Sequence, residues 1–268
     1  MTPRSRLTAL LEAHADDIPL DVAAACVAAE EQPGVSSDRI VEQLDALAAD
    51  IRLPPKPGLT DAIARINHRL FTELGFSGDR ESYDEPANSF LDQVITRRRG
   101  LPILLSLLYI EVTRRLGLSF VGIGFPGHFL IRPRDADFFL DPFTGGRILR
   151  STQLQIMLSR RFPRAIIDDS AVTRATAPVT NRQLLLRVNH NLKASYLRRE
   201  DLPGAIRASE RLLLLDDSRS EERQHLGQML LSVGRREEGL AELAHYLALN
   251  PTSPDAWWIV RELNGGAG

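Results

Sequence analysis

Arg98-Arg-Gly-Leu-Pro-Ile-Leu-Leu-Ser106, Gly124-Phe-Pro-Gly-His-Phe-Leu130 and Leu140-Asp-Pro-Phe143 decide how this 268-residue chain folds. Pro102 suits the first turn of a helix, where its missing N–H costs nothing, and Ile103 to Leu116 is apolar enough to be buried nearly all round. Gly117 ends that helix. Phe120 to Ile123, Phe129 to Ile131 and Phe138 to Leu140 read as short strands, the first two separated by a Gly-Phe-Pro-Gly turn. His128 and Asp141 therefore fall at strand edges facing the start of one helix.

A glycine turn at a helix start, a Leu-Gly about fifteen residues on, a His opening a strand and an Asp-Pro closing the next together resemble the transglutaminase-like (papain-like) fold. That resemblance implies a Cys at the helix N-terminus, paired with the His, with the Asp orienting the His. Here the Cys position falls on Pro102, and the single Cys, Cys26, lies 76 residues upstream. A narrower resemblance accounts for the departure. Asn88-Ser-Phe-Leu, Arg98-Arg-Gly-Leu-Pro-Ile, Leu105-Ser-Leu-Leu-Tyr-Ile-Glu-Val, Arg114-Arg-Leu-Gly-Leu and the His128 turn resemble the SirB-one family, transglutaminase-like domains followed by tetratricopeptide repeats. The match runs over about residues 15 to 255. It implies an α+β, mostly α, architecture more than an activity, because members of that family commonly lack the Cys.

Hydrophobic residues make up 43% of the chain and charged residues 25%, ordinary for a globular protein able to bury a full core. No run approaches a membrane helix, residues 1 to 15 lack a signal-peptide core, and one Cys allows no internal disulfide, so a cytoplasmic location is expected. Net charge is −2 but unevenly spread: residues 1–96 hold 8 basic against 17 acidic side chains, residues 97–164 hold 12 against 4, and the rest 13 against 14. Either Arg97 to Arg99, Arg114, Arg115, Arg132, Arg134, Arg147 and Arg150 form an anion-binding or acidic-partner surface, or the acidic N-terminal helices pack against the basic core.

Helical spacing predicts helices over residues 5–31, broken at Ile18-Pro19, with Cys26 in a buried stripe. Further helices are expected from Ser37, from an N-cap at Thr60 to Gly75, from an N-cap at Asn88 or Ser89 over Phe90 to Thr96, and from a Ser151 cap through Leu158. Pro163 to Thr180, rich in Asp, Ser, Thr, Ala and Pro, reads as a linker. Beyond it a period of 34 relates Leu192 to Leu226, Tyr196 to Leu230, Ala205 to Gly239, Leu213 to Leu247 and Leu215 to Leu249, the tetratricopeptide length. Lys193 and Ser209 depart from the usual small and bulky residues. The expected domains are 1–87 (helical), 88–175 (transglutaminase-like core) and 176–268 (two repeats docked on the core, with Asp255 to Leu263 as a cap whose Trp257 or Trp258 covers an exposed face).

Cys-His-Asp chemistry needs a thiolate, a base and a group fixing that base. Only His128 and Asp141 remain, and Ser106 is expected to bond the carbonyl four residues back. The six His show no H-x-x-x-H spacing and no Cys pair accompanies them, so no metal is expected. Gly122-x-Gly-x-x-Gly127 leads into no helix, so no nucleotide cofactor is expected and nucleic acid is not an expected partner. The reading is a catalytically silent pseudoenzyme acting as a protein-binding adaptor or regulator, with Arg98, Arg99, Phe125, His128 and Asp141 as binding residues. The alternative is a hydrolase or acyl transferase using His128 and Asp141 with an unidentified nucleophile.

Overall fold

The structure, a computed structural model, describes residues 1–264. Its contacts group into two compact units, one of residues 1–185 and one beginning at Leu186.

The first unit opens with α1 (Pro3–Ala13), α2 (Leu20–Glu31) and α3 (Ser37–Ala49). Alanines make α2 slim enough to be covered on all sides, and α1, α3 and α5 (Leu91–Arg97) all pack against it. α4 (Leu59–Asn67) runs on as a π-helical turn over His68–Glu73, ending before Gly75. The two-residue strands β1 (Ser77–Gly78) and β2 (Arg99–Gly100) pair in parallel. α6 (Pro102–Arg115) is buried without interruption from Pro102 to Thr113. Each fully buried Leu there contributes on the order of 2 kcal/mol.

β3 (Phe120–Ile123), β4 (Leu130–Pro133), β5 (Phe139–Asp141), β6 (Arg147–Leu149) and β7 (Pro178–Val179) form one antiparallel sheet in the order β6-β5-β4-β3-β7. α6 packs on β3 and β4. Ile123, Leu130, Phe139 and Leu149 meet Leu154 and Leu158 of α7 (Ser151–Arg161) and Val172 of α8 (Asp169–Ala175) in a separate cluster.

Several local expectations need correction. Gly58, not Thr60, precedes the first residue of α4. Pro86–Ser89 forms a 3-10 turn, so Asn88 and Ser89 are buried inside it and Phe90 holds the cap position of α5. Arg150 rather than Ser151 is the cap of α7, and the Gln153 side chain accepts its N–H at 2.6 Å. Pro163 to Thr180 is not an open linker: it contains α8, capped by Asp168 bonding Ala171 N, and β7, which pairs with Gly122 and Ile123. Two residues led by a Pro are too short to show strand periodicity, so β7 left no signal.

The charge asymmetry is partly spent internally. Asp21 of α2 accepts from Arg114 (2.9 Å) and Arg115 (2.7 Å), Glu111 accepts from both at 2.8 Å, and Arg115 reaches Asp45 of α3 at 2.6 Å. The acidic N-terminal helices thus grip the basic end of α6. Burial, then the nearby Asp21 charge, pushes the Glu111 carboxyl up against the pull of the two arginines.

In the second unit, α9 (Asn181–Arg198) from Leu186 onward, α10 (Leu202–Leu215), α11 (Ser220–Ser232) and α12 (Arg236–Leu249) make two helical hairpins, followed by α13 (Ala256–Leu263). α11 and α12 approach closely at Gly227 and Gly239: a Cβ on Gly227 would lie 2.7 Å from Leu243, and one on Gly239 would lie 2.9 Å from the Gly227 carbonyl. Lys193 holds the position equivalent to Gly227, 34 residues earlier. Instead of permitting a close approach, its ammonium crosses to Glu222 of α11 at 2.6 Å, both groups nearly buried. Ser209 is buried, and its hydroxyl has no hydrogen-bond partner among the described residues. Of the two tryptophans, Trp258 packs on Leu243, Tyr246 and Ile259 and donates to Asp255 at 3.0 Å, whereas Trp257 is 69% exposed.

Candidate functional site

His128 Nε2 lies 2.9 Å from Asp141 Oδ1, with the His side chain 17% exposed and the Asp 7%. Asp141 is held from three further directions. Its Oδ1 accepts the Phe143 N–H (3.0 Å), its Oδ2 accepts the Thr144 hydroxyl (2.8 Å), and its carbonyl accepts the Gly146 N–H (2.9 Å). The carboxylate therefore caps the 3-10 turn Pro142–Thr144 and faces the imidazole at once. A carboxylate against Nε2 places the proton of a neutral ring on that nitrogen. The Phe143 ring stands edge-on to His128, centroids 5.9 Å apart, and Tyr83 meets Phe143 from another side at 6.4 Å, with the Arg80 guanidinium 5.5 Å from the Phe143 ring centre.

The turn holding Asp141 is fixed from behind. Tyr109 of α6, fully buried, donates to Asn67 Oδ1 (3.0 Å), and Asn67 Nδ2 donates to the Gly146 carbonyl (3.0 Å). Gly146 has φ 72°, and any Cβ there would enter the Asn67 amide. Burial drives the Tyr109 hydroxyl pKa far up, so it stays a donor.

A second network anchors the start of α6. Asn88, fully buried, donates to the Ser82 carbonyl (2.6 Å) and accepts from Arg97 (3.2 Å), and its own carbonyl accepts the Leu101 N–H (3.1 Å). Asp79 accepts from Ser82 N (2.9 Å) and Arg97 (3.4 Å). Burial works against its charge, but the Ser82 N–H, Asn88 and Arg97 outweigh it and hold the carboxyl below its usual range. Asn88 stood in a quoted motif. Arg97 belongs to the basic stretch and Tyr109 to the motif from Leu105 to Val112, but the bonds they make here, and Asp79 and Asn67 altogether, leave no trace in the sequence, since isolated polar residues in turns and apolar helices carry no periodic signal.

Pro102 is the first residue of α6 and is buried. The 3-10 turn after Asp141 packs against α6. Ser106 is 0% exposed and its hydroxyl finds no acceptor among the described residues, the carbonyl four residues back included, so the expected helix bond is absent. Thr113 does make such a bond, to Tyr109 O at 2.9 Å.

The expected binding residues divide. Phe125, 1% exposed, is corrected to a core residue, since its large ring belongs to the cluster under α7 and α8. Arg99 makes a long, exposed contact with Glu81 (3.5 Å). Arg98 caps α5 in a left-handed conformation (φ 60°), its guanidinium 4.6 Å above Phe76, and burial followed by the Arg69 charge lowers its pKa. Cys26 is fully buried on α2, and burial pushes its thiol up despite Arg6 and Ser37. Among the described residues no group of three or more His, Cys, Asp or Glu could hold a metal, and no helix is long and apolar enough to cross a membrane.

A profile of the transglutaminase-like superfamily matches residues 38–190, more than half of the chain. The chain belongs to the transglutaminase-like superfamily. A tetratricopeptide-repeat profile follows over residues 192–263. Within the superfamily its relatives are SirB-like. A UPF0162 protein of Xylella fastidiosa is 34% identical over 247 residues, 89% of this chain and 86% of the relative. Protein SirB1 of Salmonella typhimurium is 23% identical over 199 residues, 73% and 72% of the two chains. F-box only protein 21 of Mus musculus is 31% identical over 141 residues, 49% of this chain but only 22% of that much longer one. Sequence similarity over about half of this chain thus extends to a much longer protein.

Proposed function

We propose that this SirB1-like chain is a protein-binding adaptor or regulator whose transglutaminase-like domain performs no acyl transfer. The observation that carries the reading is Pro102: the first position of α6, where the resemblance calls for a thiolate, holds a residue with neither a nucleophile nor a backbone N–H. The one thiol, on α2, is buried and kept protonated. Ser106 is sealed in the helix core and out of reach of a substrate.

Binding falls to the repeats. A cleft of about 550 Å³ lies in the second unit, lined by His190, Lys193 and Leu197 of α9 and by Arg219, Glu222 and His225 at the start of α11. Burial, followed by Arg219, keeps His190 below its usual range, so it sits neutral with Nε2 3.2 Å from the Arg219 guanidinium. A groove with a half-exposed Leu197 among fixed polar groups suits a peptide segment of a protein partner. A cytoplasmic setting suits a chain whose single cysteine is buried and reduced.

Affinity capture with the full chain, beside full-length Leu197→Glu/His225→Glu, tests the binding reading. A partner retained by the wild type and lost by the variant supports it, and identical captures sink it. The alternative, a hydrolase or acyl transferase using His128 and Asp141, draws on their 2.9 Å contact. Ester hydrolysis or amine transfer by the wild type that disappears in His128→Ala would replace the adaptor reading with that one.

A further inference from the structure

The arginines of the central region do not share one fate. Arg97 pairs with Asp79, Arg99 with Glu81, and Arg114 and Arg115 with Asp21 and Glu111. Arg132 lies over Phe139 and Arg134 donates to Ser119. A different set is left over. From Pro142 to Ile167 the chain carries five arginines (147, 150, 160, 161 and 164) and no acidic residue. All five are exposed, and none makes an ion pair among the described residues. The two acids that flank this stretch are committed elsewhere: Asp141 to His128, Phe143 N and the Thr144 hydroxyl, and Asp168 to the cap of α8, where it accepts from Ala171 N and the Ser170 hydroxyl.

Apolar side chains are exposed among these charges. Ile156 projects from the middle of α7 at 53% exposure, on the side away from the buried Leu154 and Leu158. Phe162 is 43% and Ile166 93% exposed in the segment that follows, with Arg161 5.7 Å from the Phe162 ring centre. The surface borders the His128 turn: a Cβ at Gly127 would lie 3.5 Å from Arg161 Nε.

We propose that α7 and the segment to Ile166 form a docking surface for an acidic amphipathic segment of a partner protein, whose carboxylates meet Arg160, Arg161 and Arg164 while its apolar face covers Ile156 and Phe162. The charge alone would suit any polyanion, and the apolar residues choose between them. A nucleic acid offers phosphates and base faces, which call for aromatic stacking, and two of the three exposed apolar side chains here are isoleucines. A membrane surface calls for a broad apolar helix face, whereas Ile156 is flanked by exposed Thr152, Ser159 and Arg160. Guanidinium forks interleaved with single apolar anchors match a chain bearing both carboxylates and apolar side chains. This surface belongs to the first unit, so it stands or falls separately from the repeat cleft.

The test uses the full-length protein and a fluorescein-labelled acidic peptide designed as an amphipathic helix. Its scrambled isomer, phosphatidylserine vesicles and a single-stranded RNA serve as competitors. The designed peptide binds, its affinity falls by about tenfold or more in Arg160→Glu/Arg161→Glu/Arg164→Glu, and it falls in Ile156→Ser/Phe162→Ser as well. Unchanged circular dichroism and melting of both variants, which alter only exposed side chains, shows that folding is not the cause. No binding, equal binding by wild type and both variants, equal binding of the scrambled isomer, or tighter binding of the vesicles or the RNA would each overturn the proposal. Loss of the Leu197→Glu/His225→Glu effect on capture would leave it standing.

Discussion

Tyr109→Phe is the perturbation that best isolates how the Asp141 turn is held. The ring stays, and with it the contacts to Phe71 and Phe120, whose centroids lie 6.1 and 5.5 Å away. Only the hydroxyl goes, and with it the 3.0 Å bond to Asn67 Oδ1. A buried hydrogen bond contributes about 0.5–1.5 kcal/mol net, and a stranded acceptor adds part of a further cost of about 1–3 kcal/mol. Asn67 is half-buried, so water relieves some of the second term, and the expected loss is about 1.5 kcal/mol. Urea unfolding followed by circular dichroism, with hydrogen exchange of the amides of α6 to report the first unit, should shift its midpoint by roughly 0.5–1.5 M, given a slope of about 1–3 kcal/mol per molar urea. Asn67→Ala, which also releases the Gly146 carbonyl, should cost more, and the double variant should cost about the same as Asn67→Ala alone. A loss below about 0.3 kcal/mol in Tyr109→Phe, or simple additivity of the two changes, would refute the chain of bonds from α6 through Asn67 to the turn.

Ser106→Ala should be neutral or stabilising by about 1 kcal/mol, because it removes a buried hydroxyl without a partner; a clear loss of stability would show that the hydroxyl is bonded. Asp79→Asn should destabilise the protein at neutral pH, with the penalty shrinking in acid. The folded carboxyl lies below its unfolded value, so its contribution is present above about pH 4 and disappears as the pH falls through the lower folded value. A penalty constant from neutral to strongly acidic pH would contradict that assignment. Cys26 should resist labelling by a thiol reagent until the protein unfolds, and Cys26→Ala should cost about 1 kcal/mol; rapid labelling of the native protein would show the thiol exposed.

Long periodic features were legible in the sequence. α6, started by Pro102 and ended by Gly117 at φ 78°, and the helical hairpins of the 34-residue repeat recur at the expected places. Apolar periodicity over a dozen residues survives any local detail. What did not show depends on single contacts. β7 is two residues long, and the π-helical turn after Asn67 breaks no apolar pattern because Leu70 stays buried. Caps moved by one or two residues because Gly58, Phe90 and Arg150 hold those positions without a cap-forming side chain. His128 and Asp141 could be named from motif and turn chemistry. Their support from Asn67 and Tyr109 spans 79 and 42 residues of sequence, a separation that no local pattern encodes. The central basic region could not be sorted in advance either. Arg114 and Arg115 find carboxylates because α2 and α3 meet α6, whereas Arg160, Arg161 and Arg164 make no ion pair among the described residues.

The central claim is that the first position of α6 is a nucleophile site vacated by Pro102. Titrating the thiol of Pro102→Cys in a Cys26→Ala background, by ultraviolet thiolate absorbance with and without His128→Ala, tests it most directly. The account predicts a thiol pKa below that of an ordinary cysteine, returning upward when the His128 imidazole is removed. A thiol at or above the ordinary value that is indifferent to His128→Ala would contradict it.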